Sequence, residues 1–462
     1  MMEISAIPSG QFCPRFCPPL ARGATPLRRA VSAATRQSEP ALVEALLEQA
    51  RVPAGLVPRV DALATRLATG LRERGAGSGR AGLVQSLLQE YALSSTEGVA
   101  LMCLAEALLR IPDDATRDAL IRDKIARGRW QAHLGRSASL FVNAATWGLL
   151  LTGKLVATHS DAGLGSALTR LVQGSGGEFL IRKSVDVAMR MLGEQFVAGE
   201  AIEAALLRAS PQMEEGWRHS FDMLGEAALT AADARRYLRA YELAIDAIGA
   251  AAAGRGVYEG PGISIKLSAL HPRYGRAQWE RVQAELYPLL VDLCARARRY
   301  DIGLNIDAEE SERLEISLEL FGQLACEPQL AGWQGLGFVV QAYQKRAPAV
   351  IDVLIDLARR SGRRLMVRLV KGAYWDSEIK RAQVEGQTDY PVYTRKAHTD
   401  AAYVACARQL LAAPAQIYPQ FATHNARTLA TIYELADPRA WTPGQYEFQC
   451  LHGMGEPLLS RW

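Results

Sequence analysis

Two spacings of apolar residues divide the chain. From Glu39 to Ser210 apolar positions recur every three or four residues, as in ALVEALLEQA, LVPRVDALATRLATGL and VALMCLAEALLRI, which is the period of an amphipathic helix. Ser94-Ser95-Thr96-Glu97 supplies a capping box ahead of the third run. With no strand alternation and no fixed-period repeat, residues 39–210 are expected to form an all-helical domain. After SPQMEEGWRH the texture changes. Short β-rich runs now alternate with helical segments: SFDML (220–224), GISIKLS (262–268), GLNIDAE (303–309), GLGFVVQAY (335–343), RLMVRLVKG (364–372), IYPQFATHN (417–425) and YEFQCLHG (446–453).

The runs lie mostly ~30–50 residues apart, the length of a decorated βα unit. Strand followed by helix implies a parallel sheet, and so many units predict an α/β fold, a (β/α)8 TIM-type barrel over residues 211–462. Seven strands are present before Trp462, so the eighth is expected to be missing. That leaves the first and seventh strands with unpaired edges, at about 1–3 kcal/mol for each buried unpaired group. The chain alone is therefore expected to be aggregation-prone.

Composition narrows the class. Of 462 residues, 49% are hydrophobic and 22% charged, as in an ordinary globular chain, and a net charge of +4 makes no electrostatic case for nucleic acid. Apolar stretches such as TWGLLLTGKLVA are broken by glycine or lysine short of a membrane span. Seven scattered cysteines favour reduced thiols and a cytoplasmic setting, and the CPRFC pair has no second pair or histidine nearby. Residues 1–38 are rich in Pro, Ser, Ala and Arg; prolines at 8, 14, 18, 19 and 26 argue against a helix there and for a disordered N-terminal arm. Gly148-LLLT-Gly153-Lys154-Leu155 approaches a phosphate loop but lacks the Ser or Thr that would hold magnesium, so chance explains it better.

Barrel chemistry sits at the C-terminal ends of the strands. The runs end in Lys266, in Asp307 with Glu309 and Glu310, in Gln341, in Arg368 with Lys371, in Thr423-His424-Asn425, and in Gln449 with His452. One such residue is usually just solvated; several at one barrel mouth argue for a site. Asp307, Glu309, His424 and His452 are possible metal ligands of a lyase, but Lys266, Arg368 and Lys371 would repel the ion. A flavin suits the cations better, because Arg368 would stabilise its anionic reduced ring. Gly372 and Ala373 let backbone amides approach such a ring, Trp375 offers a stacking face for adenine, and Tyr393-Thr394-Arg395-Lys396 at a helix start suits a pyrophosphate. No G-x-G-x-x-G follows a strand.

The stretches FDMLGEAALT, YEGPGISIKLSALHPRY, NIDAEESERLEISLEL, VVQAYQKR, RLVKGAYWDSEIKRAQ, YPVYTRK, YPQFATHNA and YEFQCLHGMGEPL resemble the proline dehydrogenase barrel of the bacterial proline utilization A (PutA) family. The resemblance implies FAD-dependent oxidation of L-proline to Δ1-pyrroline-5-carboxylate, the first step of its degradation to glutamate, with electrons passed to a membrane quinone. It implies that Gln341, Arg368, Val370, Gly372, Ala373, Trp375, Thr394, Arg395, Lys396, Thr423, His424, Asn425 and Gln449 contact FAD. Lys266 matches a lysine on the proline carboxylate, Asp307 an aspartate of the proline pocket, Tyr374 and Leu451 its apolar walls, and Asp222 and Glu226 acids near it. No DNA-binding module of the family's ribbon-helix-helix type is seen before Glu39, and the aldehyde dehydrogenase domain lies beyond the chain. A cytoplasmic enzyme is expected, with a peripheral contact to the inner face of the membrane and an oligomeric state both compatible with the chain. The alternative is a catalytically impaired fragment or a non-catalytic interaction protein.

Overall fold

The computed structural model describes residues 25–73, 116 and 196–460. Two compact units are distinguished, Met1–Arg66 with Ala209–Cys450, and Leu67–Arg208 with Leu451–Trp462. The capping box at Ser94–Glu97, the VALMCLAEALLRI helix, the near-phosphate loop and CPRFC all lie outside the described residues.

The elements, in chain order, are α1 (Pro26–Ala34), α2 (Glu39–Ala50), α3 (Val57–Glu73), α4 (Ile202–Glu214), β1 (Ser220–Asp222), α5 (Ala231–Ala252), β2 (Gly262–Ile265), α6 (Tyr287–Arg299), β3 (Leu304–Ile306), α7 (Leu314–Cys326), β4 (Leu336–Gln341), α8 (Ala347–Ser361), β5 (Leu365–Val370), α9 (Trp375–Val384), α10 (Lys396–Leu411), β6 (Ile417–Ala422), α11 (Ala426–Leu435) and β7 (Glu447–Gln449). The seven strands lie side by side in chain order and every pairing is parallel, as the alternation of strand and helix requires. Among the described residues β1 and β7 end the sheet and do not pair with each other.

Register explains the two faces. Ile265, Ile306, Phe338, Val367 and Pro419 share one level and turn toward the helices; the Phe338 ring meets Phe321 of α7 at 4.9 Å. The neighbouring positions on the other face are mostly polar, with Ser220 and Asp222, Ser264, Asn305, Arg368, Gln420, and Glu447 with Gln449, interrupted by Gly337, Val339 and Met366. Because side chains alternate with period two, one set of residues builds the apolar shell and the other a polar interior. That interior is partly self-satisfied, since Gln420 Nε2 donates to Glu447 Oε1 at 2.9 Å and the Tyr418 hydroxyl to Glu447 Oε2 at 2.9 Å.

The N-terminal segment departs from expectation. Residues 26–34 are helical rather than part of a disordered arm: the Thr25 side chain caps α1, and Pro26 opens it. At a first helical position the missing N–H of proline costs nothing, so this proline starts a helix rather than breaking one. The expected boundary at residue 39 also moves, because α1, α2 and the start of α3 cluster with the barrel. Arg28 Nη2 donates to the Leu318 carbonyl at 3.0 Å, and Lys345 Nζ, from a fully buried side chain, holds both the Gln37 carbonyl and Asp389 Oδ1 at 2.9 Å. In the second unit Arg208 Nη1 donates to the Val197 carbonyl at 3.2 Å, and His452 Nδ1 lies 3.3 Å from Glu456 Oε1.

Candidate active site

Three strands bring their terminal charges into one cluster. Lys266, just past β2, places Nζ 2.7 Å from Asp222 Oδ1 and 2.9 Å from Asp307 Oδ2. Arg368 reaches across the interior from β5: Nη1 donates to Ser264 Oγ at 2.8 Å and Asp307 Oδ1 at 3.3 Å, and Nη2 donates to Ser220 Oγ at 2.8 Å. Asp307 is thus shared by two cations. Burial opposes the Lys266 charge, but Asp307 and Asp222 outweigh it and hold the ammonium above its usual range. Asp222 is pushed up by burial and by Asp307, with Lys266 pulling the other way. The Lys266 amide donates to the buried Tyr241 hydroxyl at 3.1 Å, which fixes the turn after β2.

The rim is organised by RLVKGAYW. Gly372 has φ +143°, and a Cβ there would come within 2.4 Å of the Tyr343 ring, so both backbone and space demand glycine. The next amide, of Ala373, donates to Gln341 Oε1 at 3.2 Å, while Gln341 Nε2 donates to the Glu309 carbonyl at 2.9 Å. Val370, at the end of β5, is only partly buried. Tyr374 donates its hydroxyl to Glu226 Oε2 at 3.3 Å; burial and then Glu226 raise its pKa. Trp375 is 42% exposed, with Nε1 tied to the Tyr393 carbonyl at 2.9 Å. Lys371 turns instead to Asp400 of α10.

Arg395 and Lys396 are exposed at the start of α10, and Thr394 beside them is engaged by Glu39 through its amide at 3.0 Å and its hydroxyl at 3.0 Å. After β6, Thr423 is buried, His424 exposed, and Asn425 caps α11 by accepting from the Thr428 amide at 2.9 Å. Gln449 Nε2 donates to Glu447 Oε1 at 2.5 Å. Leu451 is exposed and belongs to the second unit. Sequence reasoning missed Ser220, Ser264, Asn305, Gln420 and Glu447, although polar residues alternating with apolar ones in β1, β2, β3, β6 and β7 were a usable signal. No local pattern marks Glu39 or His398, whose side chains meet at the start of α10.

A parallel barrel whose strand ends gather acids and cations at one mouth defines a small-molecule enzyme class. Residues 205–461 match the family model described as proline dehydrogenase, and the chain belongs to that family. Residues 25–72 match the proline utilization A proline dehydrogenase N-terminal domain. Residues 83–196 match a model described as the DNA-binding domain of proline dehydrogenase, which overturns the expectation of no DNA-binding module. The matched segment follows Glu39 rather than preceding it, and lies almost wholly outside the described residues.

The chain is 67% identical over 434 residues to the bifunctional protein PutA of Escherichia coli, covering 94% of this chain and 33% of that protein. It is 58% identical to PutA of Rhizobium meliloti, covering 96% of this chain and 35% of that protein. It therefore spans about a third of the length of these relatives. A solved variant of Bradyrhizobium japonicum PutA, 45% identical, superposes with a TM-score of 0.69 over 92% of this chain and 42% of its own.

Proposed function

We propose that the chain is the FAD-dependent proline dehydrogenase part of a bifunctional PutA, oxidising L-proline to Δ1-pyrroline-5-carboxylate and passing electrons to a membrane quinone. The observation that carries this reading is Asp307, which joins Lys266 and Arg368 at the mouth of a proline dehydrogenase barrel. The residues present fit a flavin. Arg368 Nε is buried with no hydrogen-bond partner among the described residues, the Trp375 indole is half exposed, and Arg395 and Lys396 stand at a helix start. Bound FAD supplies the two-electron acceptor for the carbon–nitrogen bond of proline.

In this reading the protein's work is positioning. An ammonium has three N–H groups; Asp222 and Asp307 take two of those on Lys266, leaving one for the proline carboxylate. Arg368 commits three of its four Nη N–H groups to Ser220, Ser264 and Asp307, which immobilises the guanidinium and leaves its Nε–H for an electron-rich ring. Gln341 and the Ala373 amide line the same rim, with Gly372, Val370, Thr423, His424, Asn425 and Gln449 as further flavin contacts. Tyr374, anchored through Glu226, walls the proline side. The quinone step requires a meeting with a membrane surface; among the described residues no helix is long and apolar enough to cross one.

The test is an absorbance spectrum of the purified chain together with proline-dependent dye reduction. Bound flavin that bleaches with proline supports the reading. A colourless protein that gains neither flavin nor activity when FAD is added refutes it.

A further inference from the structure

We propose that Glu39, from the segment ahead of the barrel, is a positioning residue for the pyrophosphate end of bound FAD. It would fix the turn from Thr394 to His398 that presents Arg395 and Lys396. The proposal rests on the flavin reading above.

Glu39 is the first residue of α2 and only 8% exposed. Its Oε1 and Oε2 lie 3.0 and 3.1 Å from the Thr394 amide, and Oε2 accepts the Thr394 hydroxyl at 3.0 Å. His398 Nδ1 lies 2.5 Å from Oε1. A carboxylate that leaves water is costly unless it is fully hydrogen-bonded, and these partners all come from one turn. The turn is thereby held in a single conformation. Thr394 lies one residue ahead of the N-cap Arg395, and negative charge near a helix start is favoured by the helix dipole, so the contact also steadies the start of α10.

Glu39 does not hang on a loose strap. Leu46, Val43 and Ala50 of α2 pack against Tyr393, Ala402 and Ala405. On the approach, Lys345 holds the Gln37 carbonyl at 2.9 Å. The same turn carries the Trp375 indole through the Tyr393 carbonyl. Two of the proposed cofactor contacts, Arg395 and Lys396, therefore stand on a turn that Glu39 locks from outside the barrel, and a third, Trp375, is tied to the residue just ahead of it. With its Thr394 donors committed to Glu39, the turn offers an anion the two exposed cations, whose direction the lock sets.

The experiment titrates the flavin-free full chain with FAD and, separately, with riboflavin, which lacks both phosphates and the adenosine. Wild type, Glu39→Ala and Glu39→Gln are compared, with thermal unfolding followed alongside. Glu39→Ala should weaken FAD binding about tenfold or more while changing riboflavin binding less than about twofold. Glu39→Gln keeps an oxygen acceptor for Thr394 and should recover part of the loss. FAD binding that is unchanged or tighter in both variants overturns the proposal, the tighter result meaning that Glu39 competes with the phosphate for Thr394. Equal weakening toward both flavins also overturns it, since that is a general loss of structure. A wild-type chain that binds neither flavin overturns the flavin reading together with this proposal, whereas flavin binding indifferent to Glu39 overturns the proposal alone.

Discussion

Asp307 Oδ2 lies 2.9 Å from Lys266 Nζ, and the two side chains are only 12% and 14% exposed. The other Asp307 oxygen is 3.3 Å from Arg368, so one carboxylate balances cations from β5 and from the end of β2. Removing one partner of such a largely buried set leaves the others uncompensated, which makes each member's loss readable in function.

Lys266→Ala and Asp307→Ala should each raise the Michaelis constant for proline about tenfold or more while FAD stays bound. The basis is one charge-assisted hydrogen bond of about 1.5–3 kcal/mol to the substrate carboxylate, lost directly or left misaimed. Steady-state kinetics with the flavin content of each variant checks this. Release of FAD by Lys266→Ala would move that residue into the cofactor site.

Arg368→Met removes a fixed cation at roughly constant volume. The flavin reduction potential should fall and proline oxidation should slow, with an effect of about 1–3 kcal/mol. Spectroelectrochemical titration of variant and wild type measures it. An unchanged potential and turnover would show that the guanidinium only ties β1, β2 and β5 together.

The Glu39 contact should be sensitive to acid. Burial opposes ionisation of this carboxyl, but His398 and the amide and hydroxyl of Thr394 outweigh it and hold the group below its usual range; Tyr393 is the other titratable neighbour. A depressed carboxyl stabilises the fold above its unfolded value of about 4.3, and that contribution is lost as the pH falls through the folded value. Glu39→Gln should therefore unfold at a lower temperature than wild type at neutral pH. The gap should narrow below about pH 4. A gap that stays constant from pH 7 to pH 3, roughly the range over which Glu titrates, would deny the charge any part in it.

Gly337 makes room for a neighbour. A Cβ at this position would stand 1.7 Å from Asn305 Oδ1, inside the polar interior where β3 and β4 pair Asn305 with Gly337. Gly337→Ala should cost about 1–3 kcal/mol by overpacking. Adding Asn305→Ala should return part of that loss, because two residues in contact do not act additively. Chemical denaturation of the two single variants and the double variant decides it; strict additivity would place the strain elsewhere.

The seven strands were legible because each pairs a short β-rich run with a following helix, and a parallel sheet needs little more than that order. The cluster residues Lys266, Asp307 and Arg368 were legible from their positions at strand ends, where a barrel concentrates its chemistry. Period-two alternation also encoded the polar interior positions Ser220, Ser264, Asn305 and Glu447, which lie within the strands rather than at their C-terminal ends. What the tertiary structure decided was which partners meet. Lys371 leaves the mouth for Asp400, and Arg368 spans the interior to Ser220, 148 positions earlier in the chain. Glu39 finds Thr394 at a separation of 355 positions, and Pro26 opens a helix rather than ending an arm. Local spacing reports which face a side chain occupies, whereas a charge pairs with whatever the packed helices and the strand register bring within about 3 Å, and that distance is set only once the chain has folded.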